Sequence, residues 1–203
     1  MKVKPPRARR AAVLLAALAV AACPTATAAE MGLKLDPDST SIRFALGATL
    51  HTVQGEARMR EGAIRFDPDS GAVSGRIVVS ARSATTHKPS RDKHMHADVL
   101  ESEEFPEIVF SPHTMQGDLR PEGESRVRIS GTLEIHGAVH DVTWPVNVSI
   151  EGDSLKGSMS FTVPYVQWGM KDPSIFVLRV HKEVEVIVMF QGVLEEENAS
   201  PPP

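Results

Sequence analysis

Apolar and polar residues alternate along most of the chain with the two-residue period that is typical of β-strands. The clearest runs of this kind lie at residues 42–46, 75–81, 127–135, 144–150, 155–163 and 184–190. Turn-forming residues separate the runs, and the segment 67–71, with the sequence Asp-Pro-Asp-Ser-Gly, is a strong hairpin signal. About eight strands joined by short turns predict an all-β chain built on one antiparallel sheet.

A sheet of this size has to protect its edge strands from pairing with other chains. Closure into a barrel does so, and a barrel of about eight strands encloses packed side chains or one ligand. A two-sheet sandwich is the alternative, but the chain lacks the Cys…Trp…Cys pattern of immunoglobulin domains. We therefore favour a single antiparallel eight-stranded barrel over a sandwich.

The segment 90–112 breaks the alternation. Ser90 is a suitable helix cap, Asp92 suits the positive first turn, and Met95 and Val99 are spaced to share one helical face. Pro106 then returns the chain to extended geometry. The pattern predicts one short helix near residues 90–101, placed where it closes the barrel or forms its rim.

The N-terminal residues 1–29 resemble a secretory signal, because five basic residues precede the apolar run 11–22. Two processing routes remain open. Small residues before position 30 suit an ordinary signal peptidase, whereas Val20-Ala21-Ala22-Cys23 resembles a bacterial lipobox with Cys23 as the lipidated residue. On either route the chain leaves the cytoplasm.

Charge and cysteine content narrow the classes of function. The chain carries 22 Lys and Arg against 26 Asp and Glu, and the N-terminal segment holds five of the basic residues, so the domain itself is acidic. Nucleic acid is therefore not expected as a partner. With Cys23 as the single cysteine, the domain has no disulfide and depends on its core. We predict a barrel domain over 30–194 and a disordered acidic, proline-rich tail over 195–203.

Two pairs of histidines are candidate metal ligands. On a helix, His94 and His96 point about 200° apart and do not share a metal. His136 and His140 flank a predicted hairpin turn, but two histidines without a third ligand make a weak zinc site. We expect no metal and no cofactor.

Signals of catalysis are sparse. The chain has no Gly-x-Ser-x-Gly elbow and no phosphate-binding glycine loop, and its adjacent carboxylates are typical of a solvated surface. We expect a protein that is not an enzyme. An apolar interior with adaptable methionines suits a ligand with a long hydrocarbon chain and a small head.

Several motifs in a fixed order resemble those of the YceI-like proteins, which are secreted bacterial proteins with a lipocalin-like barrel, described as polyisoprenoid-binding. The most specific is Arg91-Asp92-x-His94-Met95, which continues to Phe105-Pro106-Glu107-Ile108-x-Phe110. The others are the segments 33–44, 51–55, 62–67, 131–137 and 183–186, so the resemblance covers nearly all of the domain. One departure is Tyr165, which stands where many members have an Arg, and another is Gln167, where an acidic residue is common.

The resemblance implies a lipid-binding protein of the periplasm, either soluble or membrane-anchored through Cys23, that carries a polyisoprenoid, a prenyl quinone or a fatty-acyl lipid. A non-catalytic structural or interaction module with a filled barrel is the alternative function. The oligomeric state, including a homodimer, stays open.

Residue type and alternation place ten side chains in the apolar interior, and ordinary core packing is the alternative role for each. These residues are Phe44, Phe66, Val79, Met95, Phe110, Leu133, Trp144, Phe161, Tyr165 and Trp168. Arg91, Asp92 and His94 either contact the polar head of a ligand or anchor the helix to the barrel.

Overall fold

The computed structural model describes residues 30–49, 51–174 and 179–196. The predicted signal segment with Cys23 lies outside these residues, and so do residues 197–203 of the predicted tail.

Nine strands and one short helical segment make up the described chain. The strands are β1 (Met31–Leu35), β2 (Ser41–Gly47), β3 (Thr52–Phe66), β4 (Val73–Thr85), β5 (Glu107–Gln116), β6 (Gly123–Ile135), β7 (Ala138–Glu151), β8 (Ser154–Val163) and β9 (Val184–Glu196). Helix α1 (Pro89–His94) continues directly into one turn of π-helix (Met95–Val99).

The strands close into an antiparallel barrel with eight strand positions. Strands β2 to β9 each pair with their neighbours in order, and pairing of β2 with β9 completes the circle. Strand β1 pairs with the same two neighbours as β2, but at the far ends of β3 and β9, so β1 and β2 form one strand interrupted at residues 36–40. The predicted eight-stranded antiparallel barrel is therefore confirmed.

The barrel has two different ends. Short turns, including the predicted hairpin turn after β3, connect the strands at one end, which we call the closed end. At the other end, the lid end, β4 leads into residues 87–106, which contain the helical segment and which we call the lid. Residues 164–174 and 179–183, between β8 and β9, lie at this end as well.

The predicted short helix is confirmed, but its start differs from the prediction. Lys88, and not Ser90, is the N-cap residue, and Pro89 occupies the first helical position. Proline suits that position because its fixed φ is helical and its missing N–H has no partner there. Ser90 therefore lies within the first turn.

The end of the domain also differs from the prediction. Strand β9 runs to Glu196, and Glu195 and Glu196 pair with Gly32 and Met31 of β1. The domain therefore extends past the predicted boundary at residue 194, because β1 offers backbone partners that the polar sequence does not reveal.

Two groups of buried side chains hold the barrel together. The group nearer the closed end is Leu33, Leu35, Met59, Phe66, Val73, Met115, Val127, Val146, Val148, Ile150 and Leu155. The group nearer the lid end is Leu133, Ile135, Trp144, Val163, Tyr165 and Met170. Among the described residues, no helix is long and apolar enough to cross a membrane.

Candidate functional site

A cavity of about 990 Å³ occupies the inside of the barrel. All nine strands contribute to its wall, because the alternation along each strand turns every second side chain inward. Its volume is at the upper end of the ~300–1,000 Å³ range of ligand pockets. The interior is therefore not filled by side chains, contrary to the filled-barrel alternative.

Nine of the ten predicted interior residues line this cavity: Phe44, Phe66, Val79, Met95, Phe110, Leu133, Trp144, Phe161 and Tyr165. Trp168 does not. Its ring stacks on His140 with a centroid distance of 4.1 Å and an interplanar angle of 7°. Trp168 lies in the turn after β8, where strand alternation no longer determines which side chain points inward. Contact between the nine lining residues and a ligand stays a prediction.

Aromatic side chains form part of the wall in the lid half of the barrel. The rings of Trp144 and Phe161 stack with centroids 4.0 Å apart, and Phe110 packs against Trp144 at 5.2 Å. Their faces add apolar area without adding conformational freedom, which suits a wall that keeps its shape when empty.

Asp92 anchors the lid to the end of β4. Its carboxylate accepts hydrogen bonds of 2.8 Å from the Thr85 hydroxyl and from the Thr86 backbone N–H, and a short one from the Thr86 hydroxyl. Partial burial raises the pKa of Asp92, but the bonds from Thr86 and Thr85 and the nearby Arg91 charge outweigh it, so the pKa lies below its usual value. Asp92 does not line the cavity.

Arg91 has both an anchoring contact and a place in the cavity wall. Its Nε donates to the Thr86 hydroxyl at 2.7 Å, and its Nη2 donates to the Thr86 carbonyl at 2.9 Å. The side chain is half-buried and lines the lid end of the cavity. Arg91 thus has contacts that suit both predicted roles, lid anchor and head-group contact, whereas the contacts of Asp92 suit the anchor. Both roles stay predictions.

His94 is exposed on the lid, lines the cavity and lies with its Nδ1 3.3 Å from Oδ2 of Asp98. The other oxygen of Asp98 accepts a 2.9 Å hydrogen bond from Lys171, which joins the lid to the segment after β8. The Lys171 contact, followed by that of His94, lowers the pKa of Asp98. These contacts hold the lid across the end of the barrel.

His96 fixes the π-helical turn from the other side. Its Nε2 donates to the Ala84 carbonyl at 2.9 Å, and its Nδ1 lies 2.9 Å from the buried Ser102 hydroxyl. His94 and His96 point to different partners, as helical geometry predicts.

The other histidine pair does not converge either. Nε2 of His136 lies 2.6 Å from Oε2 of Glu101, whereas His140 stacks on Trp168. Within residues 30–49, 51–174 and 179–196, no group of three or more His, Cys, Asp or Glu side chains is arranged to hold a metal ion.

Tyr165 is buried at the lid end, where it lines the cavity and its hydroxyl donates to the His181 carbonyl at 2.9 Å. Burial, with a smaller effect of Asp172, raises its pKa to about 12. The neutral phenol thus supplies an apolar ring to the cavity and ties the turn after β8 to His181, which precedes β9.

Polar residues that the sequence analysis did not select also line the lid end. They are His51, Lys88, Ser90, Asp98, Lys171, Asp172 and Ser174. They lie between strands, in the lid or in the segment after β8, where no periodicity in the sequence shows which side chains face the cavity.

A family model described as the YceI-like domain matches residues 33–191. Three solved structures share the fold. BcnA of Burkholderia cenocepacia is 17% identical, with a TM-score of 0.64 over 77% of this chain and 98% of that chain. A domain from Saccharophagus degradans, described as polyisoprenoid-binding and implicated in plant cell wall breakdown, is 14% identical, with a TM-score of 0.65 over 80% of this chain and 98% of that chain. The YceI protein of Campylobacter jejuni is 16% identical, with a TM-score of 0.59 over 73% of this chain and 88% of that chain. No curated protein matches the chain.

Proposed function

Because the chain belongs to the YceI-like domain family, we propose that its barrel binds and carries a long apolar ligand, such as a polyisoprenoid, a prenyl quinone or a fatty-acyl lipid. The observation that carries the proposal is the cavity of about 990 Å³, whose wall is apolar from the closed end up to the lid. The polyisoprenoid-binding description of the Saccharophagus domain supports it by likeness of fold.

The energetics of such a ligand follow from burial of its chain. Each buried CH₂ group is worth about 0.8 kcal/mol, so a five-carbon isoprene unit contributes roughly 4 kcal/mol before ordering costs. A few units therefore give tight binding without hydrogen bonds to the chain. Length and shape, and not polar contacts in the depth of the barrel, would determine which chain fits.

Extraction of the natively purified protein tests the proposal. Native mass spectrometry should show a bound species that organic solvent removes, with the mass of a prenyl or acyl lipid. Clean extracts at several expression levels would count against the proposal.

A pair of variants on β3 tests where the ligand lies. Ala57 lines the cavity, whereas Ala63 is exposed on the outside of the same strand. Ala57→Phe should fill part of the cavity and lower the amount of co-purified lipid several-fold, because the added ring and the chain compete for the same space. Ala63→Phe should retain the wild-type amount. Equal retention by both variants would place the ligand outside the barrel.

We propose a carrier and not an enzyme, located in the periplasm after export through the signal segment 1–29. The mass of the mature protein tests export and distinguishes the two processing routes. Cleavage before residue 30 gives a soluble domain, whereas modification at Cys23 gives a lipoprotein. If the protein kept its full N-terminus in the cells that express it, both routes would be contradicted.

A further inference from the structure

The charged residues that line the cavity all lie at its lid end. Three of them, Lys88, Arg91 and Lys171, are cationic, and two, Asp98 and Asp172, are anionic. The chain as a whole carries a formal net charge of −4, so a cationic excess at this place is not a general property of its surface.

The two anions already have partners. Asp98 binds Lys171 at 2.9 Å and lies beside His94. Asp172 accepts a 2.9 Å bond from the Ser174 backbone N–H, and its pKa is lowered chiefly by Ser174, with Lys182 adding a favourable charge. Among the described residues, neither carboxylate makes a hydrogen bond or an ion pair with Lys88 or Arg91.

Lys88 is in the opposite situation. Within the described residues its side chain has no hydrogen bond and no ion pair, and the same is true of the neighbouring Ser90 hydroxyl. Arg91 uses Nε and Nη2 on Thr86, which leaves its Nη1 without a hydrogen bond there. Asp92 also binds Thr86 and partly balances the Arg91 charge, so Lys88 is the cation with the least compensation.

We propose that the lid end of the cavity receives an anionic head group, a carboxylate or a phosphate, bound by Lys88, Ser90 and Arg91. The proposal rests on the proposed function, since it assigns the head of the same ligand whose chain fills the barrel. The Lys88 ammonium, the Ser90 hydroxyl and Nη1 of Arg91 all supply hydrogen-bond donors. The oxygens of an anion are the acceptors that match them.

Two matched pairs of probes test the head group, because the two members of each pair have the same hydrocarbon chain and differ only in the head. Hexadecanoate is compared with hexadecanamide, and farnesyl phosphate with farnesol, on delipidated full-length protein by tryptophan fluorescence titration. We expect the anion to bind roughly tenfold more tightly than its neutral partner, because a hydrogen bond to a charged group is stronger than a neutral one. A preference in one pair alone supports the proposal and identifies which anion the site takes.

Variants of two lysines on the lid supply the control. Lys88→Gln should weaken the preference for the anion, since Ser90 and Arg91 remain, and Lys88→Glu should abolish it, while the neutral probes bind as before. Lys93 is exposed on the same helix and does not line the cavity, so Lys93→Glu should retain the preference. If Lys88→Glu and Lys93→Glu lost the preference for the anion equally, the proposed site would be overturned, because the effect would then come from the overall surface charge. Equal binding of both members of each pair to the wild type would overturn the head-group proposal alone, whereas no binding of any probe would overturn the proposed function with it.

Discussion

At the scale of single residues, Asp92 joins the first turn of α1 to the residues at the end of β4. Its carboxylate satisfies the backbone N–H of Thr86, which is 6% exposed, and the hydroxyls of Thr85 and Thr86. A buried N–H without a partner is costly, so these bonds hold the first turn of α1 against the end of β4.

We expect Asp92→Asn to lower the free energy of unfolding by about 1–2 kcal/mol at pH 7, since the amide replaces charge-assisted bonds by weaker neutral ones. The pKa of Asp92 is lowered in the folded protein. Its contribution is therefore present above the unfolded pKa of about 3.9 and is lost as the pH falls through the folded pKa. Urea unfolding of both proteins at pH 7 and near pH 2 measures the effect, and the two curves should converge at the lower pH.

Asp141→Asn is the matched control for this prediction. Asp141 is exposed on β7, and its substitution should change stability by less than about 0.5 kcal/mol. A difference between wild type and Asp92→Asn that is the same at both pH values would show that charge on Asp92 is not what holds the lid.

The sequence motif indicates Arg91, Asp92 and His94 as residues of the lid or of a head-group site, but it does not separate the two roles. Both Arg91 and Asp92 bond to Thr86, and the position of Thr86 depends on the path of the chain between β4 and the helix. No residue pattern predicts that path. Trp168 was misplaced for a related reason, because it lies beyond the last residue of β8 and outside any alternating run.

At the scale of strands, glycine and phenylalanine are paired across neighbouring strands of the wall. Phe44 of β2 is opposite Gly55 of β3, and Phe190 of β9 is opposite Gly157 of β8. A Cβ atom added at Gly55 or Gly157 would lie 2.2 Å or 2.1 Å from the terminal carbon of the opposite ring. Each ring therefore lies along the wall over its glycine, which leaves the lumen open.

This arrangement predicts that Gly157→Ala displaces the Phe190 ring toward the lumen. We expect a loss of about 1–3 kcal/mol in the free energy of unfolding, as for other over-packed sites, and weaker binding of long chains. Thermal unfolding and lipid titration measure the two effects. Gly32→Ala in β1 should be tolerated, since its added Cβ would have only ordinary contacts of 3.5 Å or more. Equal stability of the two variants would contradict the role given to Gly157.

The alternation of apolar and polar residues predicts part of the strand arrangement but not all of it. The two-residue period identifies the strands and, with edge protection, the closed barrel. It does not show that β1 and β2 share one position, because that depends on both halves pairing with β3 and β9. The π-helical turn at Met95–Val99 is equally invisible, since His96 in this turn bonds to Ala84 of β4 and to Ser102, which are distant in the sequence pattern.

At the scale of the whole molecule, the lid takes the place of part of the barrel wall. Strand β4 runs to Thr85, yet it pairs with β5 only from Ile77 to Ser80. Beyond that point the lid returns to the sheet, where the Ala81 N–H donates to the Pro106 carbonyl at 2.9 Å and Arg82 binds the Ser102 and Glu103 carbonyls. The lid therefore completes the wall beside the end of β4, and the eight-stranded circle does not depend on it.

A hollow barrel forgoes packing contacts that a bound chain would supply, so ligand and fold should stabilise each other. At a free concentration of about 100 Kd, farnesol should raise the free energy of unfolding by roughly 2.7 kcal/mol, or Tm by about 5–10 °C for a domain of this size. Geraniol, one isoprene unit shorter, should give a much smaller shift at the same concentration, since it forgoes up to roughly 4 kcal/mol of burial. Scanning calorimetry of delipidated protein measures both shifts, and Ala57→Phe should reduce that of farnesol because its ring occupies part of the cavity. Equal shifts with the two alcohols would mean that chain length is not what the cavity recognises.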